Sequence, residues 1–249
     1  MLTNKTIENM LNHRTIRKWK NKEIPEEIIE TLSEVAMRTS TSEGMQLASI
    51  IKVKDKEKRE KLREVSTQKY LVDAPELWIF VADGYRNHRI FSEQSSERNY
   101  TNDADKFFQS FTDAALMAQN VATAAESLGL GIVFFGSILN DPEKTINILE
   151  LPERTIPVVG LGIGYPDQKP QLKPRMNKKY RIFTDKYKKF DNYREQLKDY
   201  DLEMAKYYDL RNDKKPLDKF TEQVYDKYKN QRIKRSKIIR IAEKQGYEF

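Results

Sequence analysis

A run of 24 residues from Asp105 to Leu128, DKFFQSFTDAALMAQNVATAAESL, places the strongest restriction on the fold. It predicts one helix that ends at Gly129. Five alanines provide small surfaces for close helix packing: Ala114, Ala115, Ala118, Ala122 and Ala125. Because this helix is apolar on too many sides to lie exposed, we expect it at the centre of the fold or of a dimer.

The composition is that of a folded chain with a wide charged surface. Of 249 residues, 38% are hydrophobic and 33% are charged. No cysteine is present, which excludes disulfides, thiolate metal ligands and cysteine nucleophiles. With two histidines, His13 and His88, a multi-histidine metal site is not expected. A reducing compartment suits such a chain, so we expect a cytoplasmic protein of one large domain or two small ones.

Positive charge is concentrated in the last third of the chain. From residue 171 onward there are 23 Lys and Arg against 13 Asp and Glu, while the preceding residues carry 22 against 25. This excess is either a basic solvated surface or a means of attracting anionic ligands such as phosphates.

Apolar periodicity predicts helices alternating with short buried strands. The expected helices are a short one ending near residue 13, then 24–38, 55–66, 105–128 and 141–151. The expected strands are 47–53, 76–83, 131–137 and 156–166. Residues 91–105 form a loop or a mobile helix, and an extended connection after Pro166 leads to charged helices at about 193–208 and 217–244.

Two features of the sequence that can indicate binding of a dinucleotide or of nucleic acid are rejected. In GLGIGYP the glycines Gly160, Gly162 and Gly164 lie within a strand and no helix follows, so they suit close packing rather than a dinucleotide fingerprint. The basic, tyrosine-rich C-terminal region could contact nucleic acid, but its cations are interleaved with acids. We therefore expect neither nucleic acid nor a membrane as partner, since no stretch approaches the roughly 20 apolar residues of a membrane helix.

Three separated patches together suit one phosphorylated, polyhydroxylated ligand. They are HRTIR at residues 13–17 between two helices, TSTS at residues 39–42, and KPR with Lys173 and Arg175 two residues apart in an extended chain. Within the first, Ile16 and Trp19 should anchor the chain to the core. Each patch alone could be only solvated or capping, whereas jointly they supply guanidinium forks and hydroxyl partners.

These patches occur in an order that resembles the flavin-dependent nitroreductase family, in its oxygen-insensitive NADPH nitroreductase and flavin reductase branch. The resemblance covers nearly the whole chain. The stretches that carry it are HRTIRKWKNKEIP, TSTSEGMQLASII, VSTQKYLVDAPELWIFVAD, GIVFFGSILNDPEKTINILELP, VVGLGIGYP and KPR.

The resemblance implies an α+β fold with a mostly antiparallel central sheet surrounded by helices. It implies a single FMN-binding domain over residues 1–249, in which residues 167–249 form an extended connection and C-terminal helices that wrap the partner subunit of a homodimer.

The same resemblance assigns residues to the cofactors. FMN should contact His13, Arg14, Thr15, Arg17, Ser40, Thr41, Ser42, Gln68, Gly136, Ser137, Lys173 and Arg175. Arg235 should assist NADPH, as a partner for its 2′-phosphate. Which arginine serves the FMN phosphate and which the pyrimidine edge stays open.

Three positions depart from the family pattern. Thr15 stands where serine is usual and keeps the hydroxyl. Glu43 and Gly44 replace a serine and a larger residue close to the expected substrate face of the flavin, where an acid would disfavour anionic acceptors.

The resemblance implies an FMN oxidoreductase that takes a hydride from NADPH, or NADH, and reduces nitroaromatic, quinone or flavin acceptors by a ping-pong mechanism. No side chain is expected to act as a covalent nucleophile, and no metal is expected. The alternatives are a dedicated flavin reductase, a reductase of another small oxidised metabolite, and a flavin-binding or basic binding module without catalysis.

Overall fold

The computed structural model describes residues 2–98, 100–208 and 216–249. Residue 99, within the expected loop 91–105, and residues 209–215, within the expected C-terminal region, lie outside the described residues. The chain forms two compact units: Met1–Gln168 together with Arg232–Phe249, and Lys169–Gln231.

The first unit contains most of the secondary structure. Its helices are α1 (Lys5–Leu11), α2 (Glu26–Met37), α3 (Lys56–Ser66), α4 (Tyr85–Gln94), α5 (Ala104–Ser127), α6 (Pro142–Leu149) and, near the end of the chain, α10 (Ile238–Lys244). Its strands are β1 (Ala48–Lys52), β2 (Glu76–Asp83), β3 (Gly131–Phe135) and β4 (Thr155–Gly164). The second unit contains α7 (Tyr193–Gln196), α8 (Lys198–Ala205) and α9 (Phe220–Lys229).

The four strands form one sheet in the order β1-β2-β4-β3, and every pair of neighbours is antiparallel. The α+β class with an antiparallel sheet among helices is thereby confirmed.

Both faces of the sheet are buried, as alternate residues of β2 show. Trp78 and Phe80 pack in the cluster that includes α5, whereas Leu77 and Ile79 pack in the cluster on the opposite face. Successive side chains of a strand point to opposite faces, so an uninterrupted apolar strand requires cover on both sides. This explains why ELWIFVAD has no polar alternation.

Helix α5 is the central helix that its composition predicted. Asp103 caps its N-terminus by accepting a hydrogen bond from the Lys106 N–H, and Gly129, at φ 78°, follows its C-terminus. Four of the five alanines are buried: Ala114, Ala118, Ala122 and Ala125. Because alanine adds little bulk, the helix can approach β2 and β4 closely.

Glycines in β4 leave space for neighbouring side chains, as expected for glycines that serve close packing and not dinucleotide binding. A Cβ on Gly162 would lie 2.8 Å from the Phe135 ring, and one on Gly164 would lie 2.6 Å from Pro75. These contacts are too short for any side chain, so close packing accounts for both glycines.

The helix predicted over residues 217–244 is wrong as a single element. It is interrupted between Lys229 and Ile238, where residues 230–237 form turns and a short 3₁₀ segment. The chain has seven cations and no acid between Asp226 and Glu243, so like charges recur at helix spacings and weaken the helix. The helix predicted at 193–208 is likewise two short helices, α7 and α8.

Among the described residues, no helix is both long and apolar enough to cross a bilayer.

Gly131 should be required for docking of the N-terminal chain onto the sheet. A Cβ there would lie 2.6 to 2.9 Å from three carbons of Ile16. We expect Gly131→Ala to lower the free energy of unfolding by roughly 1–3 kcal/mol through overpacking, measured by chemical denaturation. Gly136→Ala is the control, because its new Cβ would have no neighbour closer than 3.9 Å. Equal stability of the two variants would contradict this account of Gly131.

Candidate functional site

Residues 13–17, called here the 13–17 segment, lie against β3. Thr15 forms an isolated parallel bridge with Ile132, whose carbonyl accepts a hydrogen bond of 2.8 Å from the Ile16 N–H. Ile16 and Trp19 are buried, and the Trp19 Nε1–H donates to the Gly131 carbonyl at 3.1 Å. The prediction that these two side chains anchor the loop is confirmed.

Anchoring separates the basic residues of this region into two groups. Lys18 pairs with Asp167 at 3.0 Å, and the Lys22 ammonium lies 4.1 Å from the centre of the Tyr165 ring; both lysines are exposed. Arg14 and Arg17 are half-buried. The Arg14 Nη1 donates to the Asn12 carbonyl at 2.8 Å, but its buried Nε–H has no hydrogen-bond acceptor among the described residues.

A buried guanidinium N–H without an acceptor is costly, because it has lost water without gaining a partner. A phosphate oxygen or a flavin carbonyl would satisfy it with a charge-assisted hydrogen bond. The 13–17 segment therefore fits the anionic, carbonyl-rich cofactor that the sequence predicts.

His13 begins the segment and is held by the C-terminal part of α5. Its Nδ1 lies 2.7 Å from a carboxylate oxygen of Glu126. This contact fixes the imidazole at the edge of the segment and uses one of its two nitrogens.

Asp113 organises residues 41–47, called here the 41–47 loop. It projects from the middle of α5 and is only 2% exposed. Its carboxylate accepts hydrogen bonds from the Thr41 hydroxyl, from the Ser42 N–H and hydroxyl, both at 2.9 Å, and from the Leu47 N–H at 3.2 Å. Two of the predicted hydroxyl partners, those of Thr41 and Ser42, thus donate to a carboxylate of the same chain. The Thr41 hydroxyl also accepts a hydrogen bond of 2.8 Å from the Gln46 N–H, and Ser40 remains exposed.

Sequence reasoning did not identify Asp113. The available signal was an acid within the apolar run FTDAAL, because an ionised side chain in a buried helix requires several donors.

Glu43 and Gly44, the two residues that depart from the family pattern, lie in a segment with an unusual backbone conformation. Glu43, Gly44 and Gln46 have φ of 52°, 72° and 53°, in the left-handed region. Glu43 pairs with Lys106 at 2.7 Å, and this hydrogen bond is the main reason that the pKa of Lys106 is raised. Gly44 and its neighbours line one side of a cavity of about 880 Å³, whose other walls come largely from α4.

Gly136 and Ser137 begin a 3₁₀ turn immediately after β3. The Gly136 carbonyl accepts a hydrogen bond of 2.9 Å from Arg235 Nη1, and the Ser137 hydroxyl lies 2.6 Å from that of Ser66. Gln68 is half-buried two residues beyond Ser66. Burial, together with the charge of Arg232, lowers the pKa of the Arg235 guanidinium.

The structure thus brings together the 13–17 segment, Gly136 and Arg235 along β3. The 41–47 loop lies at a different part of α5. Asp113, which holds this loop, and Glu126, which contacts His13, are 13 residues apart, or about 20 Å along the helix axis.

Lys173 and Arg175 belong to the second unit. Within that unit, the Lys173 ammonium lies 6.0 Å from the centre of the Tyr207 ring, and Arg175 Nη1 donates to the Lys173 carbonyl at 3.0 Å.

Known proteins share both the sequence and the fold. Residues 10–165 match the nitroreductase family, and residues 173–249 match its C-terminal domain. An NADPH-dependent oxidoreductase of Staphylococcus saprophyticus is 38% identical over 224 residues, covering 88% of this chain and 89% of the relative.

Two solved structures show the same architecture. The NfrA1 nitroreductase from Bacillus subtilis is 32% identical with a TM-score of 0.88, over 97% of this chain and 98% of the other. The NADPH:FMN oxidoreductase from Vibrio harveyi, complexed with NAD⁺, is 29% identical with a TM-score of 0.85, over 98% and 99%. The chain therefore belongs to the nitroreductase family and is an oxidoreductase.

Proposed function

We propose that the protein is an FMN-dependent NAD(P)H oxidoreductase that reduces nitroaromatic, quinone or flavin acceptors in two half-reactions at one site. The names of the Staphylococcus and Vibrio relatives support NADPH as donor and FMN as cofactor. The observation that carries the proposal is the buried Nε–H of Arg14 in the 13–17 segment, whereas Lys18 and Lys22, which follow the segment, contact Asp167 and the Tyr165 ring.

Bound FMN would supply the redox chemistry by accepting a hydride from the nicotinamide and returning two electrons to the acceptor. The chain's own residues bind and orient the reactants. Arg14 and Arg17 supply positive charge to the cofactor, and the backbone at Gly136, without a side chain, leaves room for a ring system. The family resemblance also assigns Lys173 and Arg175 to FMN.

We further propose that two copies of the chain complete each site. The separation of about 20 Å between Asp113 and Glu126 is too large for their dependent loops to surround one flavin ring from the same copy. Large apolar side chains that remain exposed on α1 and α5, including Met10, Phe108 and Leu116, would be covered by the partner. In this arrangement residues 167–249 embrace the partner.

Glu43 and Gly44 would face the acceptor. The contact with Lys106 compensates the charge of Glu43, so the loop repels an anionic acceptor less than an unpaired carboxylate would. Gly44 adds no side chain and keeps the neighbouring cavity wide.

Arg14 provides the most direct test of cofactor binding. We expect the purified wild-type protein to be yellow, and Arg14→Ala to raise the Kd for FMN roughly 10- to 100-fold, as expected for one hydrogen bond to a charged group. Fluorescence quenching during FMN titration measures this. Lys18→Ala is the control, since that lysine is exposed and paired with Asp167. A folded wild-type protein that is colourless and binds no added FMN would refute the proposed function.

Asp113 should control the 41–47 loop. Asparagine has one acceptor oxygen for the four donors that surround Asp113 and places an NH₂ group against the others. We expect Asp113→Asn to cost about 1–3 kcal/mol of stability in urea denaturation and to weaken FMN binding. Asp105→Asn, an exposed change on the same helix, should do neither. If both variants behave like the wild type, the loop does not depend on this carboxylate.

A substitution at Leu116 tests the proposed dimer interface. It is 48% exposed on α5, and a charge introduced there would be buried by a partner subunit. We expect Leu116→Glu to sediment as a monomer and to lose FMN, whereas Lys56→Glu on α3 should remain dimeric. A Leu116→Glu protein that stays dimeric would place the interface elsewhere.

A further inference from the structure

Two consecutive residues bind opposite ends of the turn that follows β3. Arg235 Nη1 donates to the Gly136 carbonyl, while the Lys234 ammonium contacts the Asp141 carboxylate. Residues 136–141, called here the 136–141 turn, are therefore held at both ends by the basic segment that interrupts the predicted C-terminal helix.

Asp141 has two separate functions in this arrangement. Its Oδ1 accepts from the Lys144 N–H at 3.3 Å and caps α6, while its Oδ2 receives Lys234. Its side chain is 21% exposed, against 69% for Lys234, so the carboxylate is the fixed member of the pair. Burial opposes ionisation, but the hydrogen bonds and charges of Lys234 and Lys144 hold the pKa of Asp141 below its usual value.

Arg235 needs such support because its surroundings repel it. It lies in the run of seven cations without an acid, and both its desolvation and the charge of Arg232 disfavour its protonated form. Asp141 contacts Lys234, the residue that directly precedes Arg235, and so supplies a negative charge beside this run of cations. A second pair further along, Lys244 with Glu143 at 2.7 Å, joins α10 to α6 without involving the 136–141 turn.

We propose that Asp141 is a positioning residue for the nicotinamide nucleotide: through Lys234 it fixes the backbone that presents Arg235 to the 2′-phosphate of NADPH. The inference rests on the proposed function and on the 2′-phosphate role that the family resemblance assigns to Arg235.

The direction of the effect separates positioning from simple electrostatics. Removing a negative charge near a phosphate site should strengthen NADPH binding if Asp141 acts only through its charge. If Asp141 holds Arg235 in place, the same change should weaken binding of NADPH, and NADH, which has no 2′-phosphate, should be affected little.

The experiment uses the FMN-loaded enzyme and measures KM for NADPH and for NADH with one acceptor. Asp141→Asn keeps the cap on α6, because asparagine caps helices as well as aspartate does, and removes only the charge that holds Lys234. Lys234→Gln breaks the same link while changing the net charge in the opposite direction. Lys244→Gln is the control, and Arg235→Ala is the reference.

We expect both Asp141→Asn and Lys234→Gln to raise KM for NADPH roughly two- to five-fold, the effect of an exposed ion pair, with KM for NADH and kcat unchanged. Lys244→Gln should match the wild type. Adding Asp141→Asn to Arg235→Ala should have no further effect on KM for NADPH.

Two results would overturn the inference in distinguishable ways. If Arg235→Ala selectively raises KM for NADPH but Asp141→Asn leaves it unchanged or lowers it, Asp141 does not position Arg235 and the proposed function stands. If Arg235→Ala affects NADPH and NADH equally, the 2′-phosphate role of Arg235 fails, and the inference fails with it.

Discussion

The packing of α5 against one face of the sheet is the interaction on which both parts of the candidate site depend. Its buried alanines allow the helix to approach the strands closely, and the same helix projects two carboxylates toward loops. Asp113 holds the 41–47 loop and Glu126 holds His13. Helix geometry sets the distance between Asp113 and Glu126, so once α5 is packed on the sheet the positions of the two carboxylates relative to each other are also set.

Local compensation of charge distinguishes the 13–17 segment from the rest of the basic surface. Lys18, Lys106 and Lys234 each contact an acid, and Lys22 lies over an aromatic ring. In the 13–17 segment, by contrast, a buried N–H of Arg14 points to no acceptor among the residues that the structure describes. In the proposed function, the positive charge that binds the cofactor is therefore that of the half-buried Arg14 and not that of the more numerous surface lysines, whose charge water screens.

Much of this could be predicted from the sequence, for physical reasons that differ between elements. The apolar runs that became β2 and α5 were predictable because burial on all sides leaves no polar alternation in a strand or helix. The anchoring role of Ile16 and Trp19 followed from apolar residues standing among cations. The break between α9 and α10 was not predicted, because residues 217–244 contain no glycine or proline that would mark a helix end. Repulsion between cations and the contacts of Lys234 and Arg235 nevertheless oppose the helix there. Asp113 was missed because its function depends on donors from a loop about 70 residues away along the chain, which no local pattern reveals.

The central claim is that the 13–17 segment, docked on β3, binds the flavin. Hydrogen–deuterium exchange of the full chain, with and without FMN, tests it most directly. The account predicts that FMN slows exchange in peptides covering residues 12–18 and, through the partner copy, in those covering 41–47. FMN that binds with normal stoichiometry but leaves exchange at residues 12–18 unchanged would contradict it.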